Sequence, residues 1–354
     1  MPTPTLTLTG PGVPMFRGNP AHTGVNPGPG VERPPRLVWR FETGGFVRLS
    51  SPAVAGGLVY IGSNDGYLYA LDAATGDQRW RFMTGESGFS SPAVADGLVY
   101  IGGGDSYVYA LDAATGEQRW RFKTGGSVGS SPTLASGVVY IGSYDHYVYA
   151  LDGATGEESW RFETDSLVRS SPAVAAGTLY VGSLGGSVYA LDAASGEERW
   201  QFKTGDDVGS SPAVADGLVY VGSEDGYVYA LDATTGEERW RFMTGAMVWG
   251  SPAVVDGVIY IGSDDHYVYA LDGASGEERW RFETGGWVRS SPTVVEGVIY
   301  IGGDDNYVYA LDRATGEQLW RFKTGYSVFS SPAVVGSVVY VGGYDNYIYA
   351  LAEG

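Results

Sequence analysis

Three arginines, Arg48, Arg169 and Arg289, hold equivalent places in a chain of 354 residues. Each ends a short connection that varies between copies of a repeat, and the same place in the other copies holds Phe89, Gly129, Gly209, Trp249 and Phe329. A guanidinium fork offers parallel N–H donors and an aromatic ring offers a flat face, so this mixture suits a small or planar anion. Trp287 lies two residues before Arg289 and adds another ring. The candidate ligand-binding set is therefore Arg48, Phe89, Arg169, Trp249, Trp287, Arg289 and Phe329. In the competing reading these side chains plug a channel and pair with Glu86, Asp206 and Asp207 of the same connections.

Other chemistry is thinly represented. The chain has no cysteine, which removes disulfides, thiolate metal sites and a cysteine nucleophile. No Gly-x-Ser-x-Gly elbow, Walker loop or His-Glu-x-x-His helix occurs. His146 and His266 fall three repeats apart, too far to share a metal, and His22 has no partner at ligand spacing and reads as an exposed loop residue. Asp65, Asp105, Asp145, Asp225, Asp265, Asp305 and Asp345 recur in short turns, with Gly185 as the exception. A ring of calcium sites is conceivable there, but an Asp before Gly, His or Asn ordinarily bonds its own turn backbone. No catalytic residue and no metal ligand is expected.

What positions the variable connections is a repeat. Ala70 to Trp80, Ala-Leu-Asp-Ala-Ala-Thr-Gly-Asp-Gln-Arg-Trp, returns until Ala310 to Trp320 in seven copies spaced 40 residues apart. That period means a propeller, solenoid or array. One unit reads as four strands. They are Ser50 to Val54 (strand A), Leu58 to Gly62 (B), Tyr67 to Leu71 (C) and Arg79 to Phe82 (D). B and C are continuously apolar, as in sheets covered on both faces. The proline of each Ser-Pro pair, Pro52 to Pro332, cannot donate to a ladder and marks A as an edge lining a central channel. Arg36 to Gly44 supplies only the end of a unit and Ser331 to Leu351 only its beginning. The spacing thus predicts an all-β, eight-bladed β-propeller with four antiparallel strands per blade, the N-terminal strand completing the last blade. The final copy, Ala350-Leu351-Ala352, lacks the Asp, so that junction is expected to be the weakest.

Residues 1–35 form a Pro/Gly-rich N-terminal extension holding nine of the 17 prolines, and 36–354 form the propeller. The extension reads as extended chain or coil that packs on the ring through Phe16. The formal charge of −19 argues against nucleic acid and anionic membrane as partners. No apolar run is long enough to span a membrane, and the start lacks the basic and apolar regions of a secretory signal.

The pattern Ala-x-Asp-x-x-Thr-Gly-x-x-x-Trp resembles the tryptophan-docking motif of the eight-bladed quinoprotein, or PQQ-like, propellers, and the resemblance covers residues 36–351. It implies that Trp39, Trp80, Trp120, Trp160, Trp200, Trp240, Trp280 and Trp320 form a girdle, each docked on the next blade. Phe16-Arg17-Gly18-Asn19-Pro20 looks like the lead-in of the family's noncatalytic members, which include an outer-membrane assembly lipoprotein and kinase sensor domains. That resemblance implies an extracytoplasmic location. The family's enzymes hold pyrroloquinoline quinone over the channel with calcium, an Asp base and adjacent cysteines. Trp249-Gly250 looks like the floor of that site, and Asp265 falls near a calcium ligand. The cysteines are missing, the roofing inserts are absent, and Trp287-Val288-Arg289 occupies the region of the base.

The expectation is a noncatalytic, monomeric scaffold binding a protein, a peptide or a small planar anion on the face carrying the D–A connections and B–C turns, with no cofactor. PQQ with calcium in an oxidoreductase-like protein is the first alternative. The second is a purely structural or designed repeat without an evolved ligand, suggested by the close likeness of the copies.

Overall fold

The computed structural model describes residues 12–85 and 90–353. These fold into eight antiparallel sheets of four strands, with no helix among the described residues. In the first blade the strands are Ala53–Ala55, Leu58–Gly62, Tyr67–Asp72 and Gln78–Met83, and later blades repeat them at the predicted spacing. Strand A is shorter than its sequence suggests. Its Ser-Ser-Pro stays outside the ladder because proline has no N–H to offer. Strand A of each blade touches strand A of its neighbours, so these edges surround the axis and the D strands form the rim.

Burial follows from this stacking. Strands B and C are buried along most of their length, whereas D alternates, with Trp80 inward and Arg79 and Arg81 in solvent. The core is divided among the blade interfaces. Tyr60, Leu68, Ala70 and Trp80 of the first blade pack on Val99, Ile101, Tyr109 and Leu111 of the second.

Each interface is also tied by two hydrogen bonds to one carbonyl. The Trp80 indole N–H and the Tyr60 hydroxyl both donate to the Ala113 carbonyl of the next blade, at 3.0 Å each. The indole lies against the turn glycine. A Cβ on Gly116, whose φ is +75°, would meet the Trp80 ring at 2.7 Å. Glycine is required there for both backbone and space.

The ring closes through residues 35–42. Trp39 pairs with Ala350 and Pro35 with Glu353, antiparallel, so Pro35–Glu42 is the D strand of the eighth blade. That blade has no C–D turn of its own, and the extension supplies the missing acceptor. The Val31 carbonyl takes the Trp320 indole N–H at 2.7 Å and the Tyr300 hydroxyl at 3.1 Å. The junction expected to lack its clasp therefore has one, borrowed from the other end of the chain.

The extension also lies across the strand A edges on the A–B side. Carbonyls of Val13, Pro14, Pro20, Ala21, Thr23 and Gly24 accept the N–H groups of Val54, Val94, Val174, Val214, Val254 and Val294. His22 is corrected here. It is not exposed but 1% accessible, with Nε2 2.9 Å from Thr133 Oγ1. No helix of the described residues is long and apolar enough to cross a membrane.

Candidate functional site

At the channel mouth on the D–A/B–C side lies a cavity of about 200 Å³. Arg48, Arg169, Trp249, Arg289 and Phe329 line it, as their shared repeat position requires. Trp287 is not a lining residue. It stands 43% exposed beside the mouth, with the Arg289 Cζ 4.5 Å from its ring centroid. Phe89 and Glu86 lie outside the described residues.

The two glycines of the mouth do not leave open space. A Cβ on Gly209 would collide with the Arg169 guanidinium, and one on Gly129 would meet the Tyr144 hydroxyl at 2.9 Å. Arg169 and Tyr144 occupy the room that these glycines free. Arg169 in turn lies with its Cζ 3.9 Å from the Trp249 centroid, and the Cζ of Arg289 is 4.9 Å from it.

The ion pairs differ from those the connections suggest. Arg289 forks onto Asp264, with Nε and Nη2 2.7–3.1 Å from its two oxygens, and Arg169 reaches Glu224 only at 3.8 Å. Both acids come from B–C turns. Asp206 and Asp207 form no ion pair with the arginines of the mouth. Arg48 has no carboxylate partner among the described residues. Burial lowers the Arg169 guanidinium from its ordinary range and raises Glu224, Asp207 and the Tyr144 phenol from theirs.

Beneath the arginines runs a closed circle of serines. The N–H of Ser51 donates to Ser91 Oγ, Ser91 to Ser131, and so on through Ser171, Ser211, Ser251, Ser291 and Ser331 back to Ser51, at 2.9–3.1 Å. Phe16 of the extension also lines the cavity, edge-on to His22. Sequence reasoning missed Tyr144, the serine circle and this use of Phe16. Tyr144 had a signal, since its turn position varies as much as the connections do. The serines had none, because they repeat with the scaffold.

The turn aspartates bond their own turns. Asp265 accepts the N–H groups of Tyr267 and Gly245 and the Tyr269 hydroxyl. Where Gly185 interrupts the series, Asp165 of the adjoining connection fills the space. It accepts the hydroxyls of Ser183 and Ser187 and the Lys203 ammonium.

Eight four-stranded blades closed into a ring define a class of protein, and the comparisons agree on that class. The family described as outer membrane protein assembly factor BamB, a PQQ-like repeat family, matches residues 32–143, 83–168, 145–248 and 224–353. The chain belongs to this family. No curated protein matches it significantly. Among solved structures, BamB from Moraxella catarrhalis superposes with a TM-score of 0.73 at 20% identity, over 90% of this chain and 99% of that one. Quinohemoprotein alcohol dehydrogenase from Comamonas testosteroni gives 0.82 at 17%, over 97% and 80%. The computationally designed Ika8 protein gives 0.78 at 17%, over 88% and 98%. At such identities the likeness is one of fold.

Proposed function

We propose that the chain is a noncatalytic propeller scaffold that takes its ligand, a small anion or an anionic group of a peptide or protein, at the channel mouth. One observation carries this. The variable position that ends each D–A connection faces one cavity in blade after blade of an otherwise uniform ring, and among the described residues that cavity is lined by guanidinium and aromatic groups and by no carboxylate. The family's description as an assembly factor supports a binding role over a catalytic one.

The dehydrogenase neighbour favours a second reading, a quinone-dependent oxidoreductase. The residues present do not fit that cofactor. The Trp249 ring that would form its floor is already approached by Arg169 and Arg289. Asp265 is engaged by three donors, and alcohol oxidation needs a base beside its substrate. The test is a titration with pyrroloquinoline quinone, with and without calcium, following absorbance, tryptophan fluorescence and dye-linked alcohol oxidation. No saturable binding and no oxidation is the expected result. Saturable binding lost in Arg289→Ala, together with oxidation, would replace the scaffold reading.

A further inference from the structure

The polar side chains of the mouth are rich in hydrogen-bond donors, set among the rings of Phe16, Trp249 and Phe329. Arg48 Nε and Trp249 Nε1 are buried there without a partner among the described residues. Seven serines of the circle line the cavity, Ser91, Ser131, Ser171, Ser211, Ser251, Ser291 and Ser331. Each hydroxyl oxygen already accepts the N–H of the preceding blade's serine. None of these hydroxyls donates to an acceptor among the described residues, so their protons are available to whatever occupies the cavity.

The charge is equally one-sided. The protein carries −19 overall, yet among the described residues three arginines and no Asp or Glu line this cavity. Asp264 neutralises Arg289, Glu224 only partly offsets Arg169, and Arg48 is left with no acidic partner among the described residues. Buried unpaired donors and an uncompensated cation are costly unless an anion completes them. Among the described residues the lining arginines and their ion-pair partners leave an excess of between one and two positive charges, which a dianion would balance. The extension closes the side opposite the mouth, with Phe16 among the lining residues, so the site is a pit rather than a passage.

We infer that the cavity binds a small free oxyanion of charge −2, seated on the serine hydroxyls below and on Arg48, Arg169 and the Trp249 N–H above. The inference rests on the scaffold reading and narrows it to one ligand chemistry. Inorganic sulfate or phosphate and a short dicarboxylate share that chemistry, and the volume admits each.

The experiment is calorimetric titration of the full chain with sodium sulfate, sodium phosphate and sodium succinate, each against sodium chloride at equal ionic strength. One dianion is expected to bind with one-to-one saturation and to raise Tm, as any ligand of the native state does. Whether succinate or the inorganic ions bind more tightly identifies the source. Arg48→Gln and Trp249→Phe, which keep most of the side-chain volume, are each expected to weaken binding at least tenfold. Arg79→Gln, which removes a charge from the rim, should leave it unchanged. Chloride-like heats for all three dianions would overturn the inference, and so would binding indifferent to both mouth variants. Neither result touches the scaffold reading, which falls only to quinone-dependent oxidation.

Discussion

The Trp320 indole N–H donates to the Val31 carbonyl at 2.7 Å, across 289 positions of sequence. In the other blades the same indole finds a carbonyl of the next blade 33 or 34 positions further on. The extension is thus part of the closure. Trp320→Phe should cost about 1 kcal/mol, the net worth of one such bond. Deleting residues 1–34 should cost several times more, since it also removes the strand A acceptors. Denaturant unfolding measures both, and hydrogen exchange should show the last blade opening first in the truncated chain.

Asp165 and Gly185 have exchanged the side chains that other blades carry at those places. A Cβ on Gly185 would meet the Asp165 carboxyl carbon at 2.7 Å, so Gly185→Asp alone crowds two carboxylates. Asp165→Gly alone strands the Ser183 and Ser187 hydroxyls, at about 1–3 kcal/mol. The double variant restores the arrangement of Asp145 with Gly125 and should recover most of the loss. A double-mutant cycle in urea measures the coupling, and additive costs would contradict it.

Glycines facing side chains should respond according to what they face. Gly276 has φ +75° and a Cβ there would meet the Trp240 ring at 2.6 Å. Gly276→Ala should therefore destabilise by roughly 2–4 kcal/mol, from backbone strain and a displaced indole. Gly209→Ala meets only the flexible end of Arg169 and should barely move Tm. Its effect should appear as altered Trp249 fluorescence, because the guanidinium must leave its place over that ring.

Stability should fall at both ends of the pH scale. Arg119, Arg199, Arg239 and Arg279 hold Asp112, Asp192, Asp232 and Asp272 down to about 2. A depressed carboxylate contributes above its unfolded value near 4 and loses that contribution as the pH falls towards 2. Burial lowers His22 to about 3, so its contribution fades over the wider window from about 6.5 downward. Burial raises Tyr60, Tyr100, Tyr220 and Tyr260 to about 12, and raised phenols stabilise below about 10 and stop doing so as the pH climbs through 12. Tm against pH should show a plateau from about 7 to 10, and Arg119→Gln should shift only the acid limb.

The repeat settled the architecture by itself, because local rules all point the same way. Ser-Pro forces an edge, Val-Ile-Tyr runs demand cover on both faces, and the split unit at the ends has no use except closure. It also singled out the face that carries the variable connections, because those residues change from copy to copy while the scaffold around them repeats. It could not show that Gly129 and Gly209 are filled by Tyr144 and Arg169, or that Arg289 is spoken for by Asp264. Those contacts join different blades, and spacing along one chain carries no information about which neighbour a long side chain leans towards. Nor could it find the buried place of His22 or the role of Val31. Both lie in a segment without periodicity, and what orders that segment is the row of unpaired strand A N–H groups, which exists only once the ring has closed.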